Sequence, residues 1–128
     1  MVAGFICGTW DLFHAGHVMA LEEASDNCGH LTVGIQAESP KRKPIQGLYE
    51  RFVQVSACKY VDFVIPYSTE EDLEQLLKSY HIDVRFLGED YMMTGKKITA
   101  EKAVHIIYLT RKHNFSTTKL IADIRGKK

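Results

Sequence analysis

Residues 2–17 read VAGFICGTWDLFHAGH, and the fold turns on how that stretch divides. Positions 2–7 form an apolar run without polar alternation, the pattern of a strand buried on both faces. Gly8 ends the run with a residue that permits a tight turn and a close backbone approach. Gly16 then opens a helix: Val18, Leu21, Ala24 and Cys28 fall at helical spacing, and Gly29 closes it. Strand, glycine turn and helix start in this order are the first half of a strand–helix–strand unit.

The rest of the chain repeats the alternation. The runs LTVGI at 31–35, VDFVI at 61–65, the apolar stretch 84–87 and HIIYL at 105–109 predict four more buried strands, with Pro66 ending the third. Between them, Leu48, Phe52 and Val55 stripe a helix. Ser68 with Glu71 reads as a capping box before Leu73, Leu76, Leu77 and Tyr80. A last helix starts near Ser116 and carries Leu120, Ile121 and Ile124 inward. Residues 38–47 hold two prolines and three basic residues, a loop; residues 90–103 read as a loop with a short helix. The expected architecture is a single α/β domain over residues 1–128. It is Rossmann-like, with a five-stranded parallel sheet and helices on both faces. Ligands of such sheets sit beyond the carboxyl ends of the strands, where the strand order reverses.

Composition narrows the function. Lys plus Arg equals Asp plus Glu at 16 each, which argues against a dedicated nucleic-acid binder. No run approaches the length of a membrane span, and the start of the chain lacks a signal-peptide pattern, so a cytoplasmic protein is expected. Cys7, Cys28 and Cys58 are odd in number and widely spaced, so reduced thiols are expected rather than a disulfide framework.

The chemistry concentrates after the first strand. A helix N-terminus offers N–H groups and a positive dipole end to phosphate. His14 and His17 are three apart and share one face of the first turn, where two imidazoles can donate to phosphate oxygens. Zinc binding is the alternative for such a pair, but no Cys pair or further His cluster supplies the remaining ligands, so no protein-held metal is expected. Residues 111–118, RKHNFSTT, end in hydroxyls at a second helix start, a second phosphate cradle.

GTWDLFHAGH resembles the GTFDxxHxGH signature of the cytidylyltransferases, within the wider HxGH nucleotidyltransferase superfamily, with Trp10 in place of Phe. RKHNFSTT resembles the RTEGISTT motif of glycerol-3-phosphate cytidylyltransferases and their choline- and ethanolamine-phosphate relatives: Arg111, Ser116, Thr117 and Thr118 match, while His113, Asn114 and Phe115 depart. Gly88-Glu89-Asp90-Tyr91 resembles their GxDW stretch, Glu50-Arg51 their ER pair, and Lys41-Arg42-Lys43 occupies the loop where they carry phosphate-contacting lysines.

The resemblance implies transfer of a nucleotidyl group to a phosphate-bearing acceptor with release of pyrophosphate. The expected nucleotide site comprises Gly8, Thr9, Trp10, Asp11, Phe13, His14, Gly16, His17, Asp90, Arg111, Ser116, Thr117 and Thr118. Of these, His14, His17, Arg111 and Ser116 are expected to be catalytic, and Lys41, Arg42, Lys43 and Arg51 to hold the acceptor. Mg²⁺ is implied with the triphosphate. The STT residues lean toward CTP, glycerol 3-phosphate is the favoured acceptor, and a homodimer is implied. An adenylyltransferase using ATP, and a non-catalytic nucleotide-binding module, are the alternatives.

Overall fold

In a computed structural model, residues 1–38, 43–88, 104–110 and 115–126 are described. Strand β1 (Ala3–Gly8) leads to helix α1 (Ala15–Asp26), β2 (His30–Gln36), α2 (Leu48–Ser56), β3 (Phe63–Tyr67), α3 (Glu70–Ser79), β4 (Val84–Gly88), β5 (His105–Leu109) and α4 (Thr117–Ile124). The strands form one parallel sheet in the order β3-β2-β1-β4-β5. The order reverses between β1 and β4, so the switch point lies beyond Gly8 and Gly88.

Both sheet faces are covered. On one, Ile6, Val33, Ile35, Val84 and Phe86 pack with Leu21 and Ala24 of α1 and Val55 of α2. On the other, Phe5 and Tyr67 meet Leu73, Leu76 and Leu77 of α3. Alternation of successive strand residues between faces explains why the strands read as unbroken apolar runs. Gly34 marks a tight point between the strands: a methyl group there would stand 2.7 Å from the Phe5 ring and 3.2 Å from Tyr67.

Three details differ from the sequence reading. β3 runs through Pro66 to Tyr67, whose carbonyl accepts the N–H of Ala37 at 2.8 Å. An edge strand tolerates proline because only one of its sides is paired. The longer strand moves the following cap by one residue. Thr69, not Ser68, caps α3: its hydroxyl accepts the Asp72 N–H at 3.1 Å, and the Asp72 carboxylate accepts the N–H of Ser68 and Thr69. Ile124 is 70% exposed, because α4 ends there and buries none of its side chains fully. The expected loop and short helix at 90–103 lie outside the described residues.

Candidate active site

The loop between β1 and α1 is strained, and the strain is held from several sides. Trp10 and Leu12 take left-handed backbone, with φ of 56° and 51°. Such conformations persist only where the surroundings over-determine them. Trp10 turns inward, and its indole N–H donates to the Gly34 carbonyl at 3.0 Å. The buried Asp11 carboxylate accepts the N–H of Ile45 and of Gln46, each at 2.9 Å, and the Gln46 side-chain oxygen accepts the Leu12 N–H at 2.9 Å. The motif loop and the base of the 38–47 loop are thereby one unit.

Arg51 is the clamp behind that unit. It is 1% exposed, and its guanidinium donates to the carbonyls of Thr9 (3.0 Å), Gln36 (2.7 Å), Ala37 (2.7 Å) and Gln46 (3.1 Å). Burial lowers its pKa from the ordinary value, and the Asp11 carboxylate opposes that shift. The expectation that Arg51 grips the acceptor directly is therefore revised. A guanidinium spent on four backbone carbonyls positions the loops around the site and does not face a ligand. Lys43 is exposed and stands two residues before the Asp11-held Ile45.

His14 caps α1. Its Nδ1 accepts the Gly16 N–H at 3.0 Å, and His17 Nδ1 accepts the His14 N–H at 3.2 Å. An imidazole nitrogen that accepts carries no proton, so each ring in its neutral form holds its proton on Nε2. The His14 Nε2–H donates to Thr117 Oγ1 at 3.2 Å, and that hydroxyl in turn donates to the Asp11 carbonyl at 3.0 Å. The two rings are stacked, centroids 3.8 Å apart. Phe13 stacks on the other side of His17 at 5.5 Å, and Trp10 meets it edge-on at 5.2 Å. Burial in this aromatic box, reinforced by His14 and opposed by Asp11, pulls the His17 pKa down to about 3. At neutral pH His17 is a neutral donor in the unliganded site.

The histidines open on a cleft of about 560 Å³ whose walls include Gly16, Gly88, Leu109, Thr110, Phe115, Ser116 and Thr117. Ser116 caps α4, its Oγ accepting the Lys119 N–H at 3.0 Å. Two helix starts and the ends of β4 and β5 thus converge at the switch point. Among the expected site residues, His14, Gly16, His17, Ser116 and Thr117 line this cleft. Gly8, Thr9, Trp10, Asp11 and Phe13 form the loop that shapes it, and Thr118 is exposed on α4. Asp90, Arg111, Lys41 and Arg42 lie outside the described residues. The sequence reading missed Glu23 and Thr110, both in the wall. Glu23 was legible as the residue on the helix face of Gly16 and Ala20, seven and three positions further on.

The profile of the cytidylyltransferase-like family matches residues 5–125. The chain belongs to the cytidylyltransferase-like family. It is 34% identical over 123 residues to glycerol-3-phosphate cytidylyltransferase of Bacillus subtilis, covering 93% of this chain and 94% of that one. Identity to ethanolamine-phosphate cytidylyltransferase of Dictyostelium discoideum is also 34%, over 71% of this chain and 27% of that longer one. Among solved structures, a lipopolysaccharide core biosynthesis protein of Thermoplasma volcanium superposes with a TM-score of 0.75 at 22% identity, covering 88% of this chain and 99% of that one. A cytidylyltransferase-like chain is a nucleotidyltransferase, and membership of the family implies nucleotide and phosphate-bearing substrates. Among the described residues no helix is long and apolar enough to cross a membrane.

Proposed function

We propose that this chain transfers a cytidylyl group from CTP to a small phosphomonoester, glycerol 3-phosphate by preference, and releases pyrophosphate. The observation that carries the reading is the pair of stacked imidazoles at the start of α1, each with its proton on the outward Nε2. An acceptor phosphate is largely dianionic at neutral pH and needs no general base. One of its oxygens attacks the α-phosphorus, the bond to the bridging oxygen breaks, and pyrophosphate departs with the electron pair. The protein's task is positioning and stabilising charge on non-bridging and leaving oxygens. Neutral Nε2–H donors suit it, because they strengthen as those oxygens gain charge. His14 already has one such partner in Thr117 Oγ1, which a phosphate oxygen would replace.

Mg²⁺ would enter as part of the substrate complex with the triphosphate. The acceptor approaches from the side of Lys43, whose loop is tied to the motif through Asp11.

A panel of CTP and ATP against glycerol 3-phosphate and other small phosphomonoesters, followed by pyrophosphate release, tests the reading. The highest specificity constant is expected for CTP with glycerol 3-phosphate. Equal or better use of ATP overturns the choice of nucleotide, and absence of pyrophosphate with every pair overturns the reaction.

A further inference from the structure

The cleft has a second wall that the motif residues do not explain. Gly16, Ala20 and Glu23 lie at helical spacing along one face of α1, and all three line the cleft. Opposite them runs the end of β5, Leu109 and Thr110. Glu23 bridges the two walls. Its Oε1 accepts the Thr110 hydroxyl at 3.0 Å, and its carboxylate accepts the Thr110 N–H, at 3.2 Å to Oε1 and 3.1 Å to Oε2. A carboxylate that takes both protons of one residue fixes that residue's position as well as its distance. Thr110 is also where the chain leaves the sheet on its way to Ser116 and Thr117. At the other end of this passage, Thr117 is held to the start of α1 through His14 and Asp11. Thr110 and Thr117 are therefore each held to α1 or to the loop before it, and Glu23 supplies the first of these ties.

We propose that Glu23 is a positioning residue for the nucleotide: through Thr110 it sets the spacing between α1 and the end of β5, and so holds the cleft at the width the nucleotide needs before it arrives. The inference rests on the reading of this cleft as the nucleotide site. Preorganisation of this kind lowers the cost of binding and leaves the chemical step to the histidines.

Glu23→Ala should raise the Michaelis constant for the nucleotide roughly tenfold while kcat stays within about twofold and the acceptor's constant is unchanged. Glu23→Gln keeps an acceptor oxygen and should recover part of the loss. Thr110→Val removes the hydroxyl arm alone and should show a smaller rise, about threefold. If Glu23→Ala does not fold, the Glu23→Gln and Thr110→Val pair decides. An unchanged nucleotide constant in the variants, a parallel rise for nucleotide and acceptor, or a loss confined to kcat overturns the proposal. The wild-type control separates this inference from the reading beneath it. Preference for ATP removes the choice of CTP but leaves the comparison to be made with ATP. Release of pyrophosphate with neither nucleotide overturns both.

Discussion

His14 and His17 differ in surroundings although they share a turn. His14 has a hydroxyl partner at its Nε2, whereas His17 is boxed by Phe13, Trp10 and the His14 ring. Replacing either by alanine should lower kcat by roughly 10²-fold or more, the scale of losing a transition-state donor, with a smaller effect on substrate binding. Near-wild-type turnover with chemistry rate-limiting would remove that histidine from the mechanism. His17 also ties stability to pH. Its pKa of about 3 in the folded chain lies below the ordinary 6.5, so between these values the unfolded chain binds a proton that the folded chain refuses. The full contribution is present above pH 6.5 and is lost as pH falls toward 3, at up to about 1.4 kcal/mol per pH unit. Urea denaturation at pH 7 and pH 5 should therefore show wild type losing roughly 2 kcal/mol more than His17→Gln. Equal losses would mean that the ring titrates normally.

At the scale of elements, the polar contacts that fix the site run between loops and not within helices. Arg51 joins the ends of β1 and β2 to the start of α2 through four carbonyls. Arg51→Ala should cost about 3 kcal/mol or more, since it removes a buried cation and leaves its acceptors unpaired. A thermal scan would read this as a fall of roughly 10 °C. Arg51→Lys should recover little, because an ammonium cannot reproduce the planar fork; full recovery would show that charge alone matters. The sequence showed an arginine beside a loop of basic residues, and the family resemblance together with the charge pattern placed it with the acceptor. Only the fold reveals that β2 ends within reach of its guanidinium. The strands, by contrast, were legible because burial on both faces writes itself as apolar runs, and the glycine turn before a helix start was legible as the place where the first strand hands over to the first helix. Thr69 displaced Ser68 as a cap for a reason no local pattern carries: the neighbouring strand pairs two residues further than its composition suggests.

For the molecule as a whole, the homodimer expected from the family resemblance predicts twice the chain mass by light scattering at micromolar concentration. A monomer there would contradict it without touching the chemistry. Assembly within one chain has a stricter requirement. His14 and Thr117 are 103 residues apart in sequence yet share a hydrogen bond, and the Asp11 carbonyl that completes it is 106 residues from its donor. Contacts of such long range form late, since the loop they close must first be ordered. The ring of His14 therefore lacks its Thr117 partner until the last helix has packed against the first. Truncation before residue 117 would leave both imidazoles in the chain but take away the hydroxyl that joins the His14 ring to the Asp11 carbonyl.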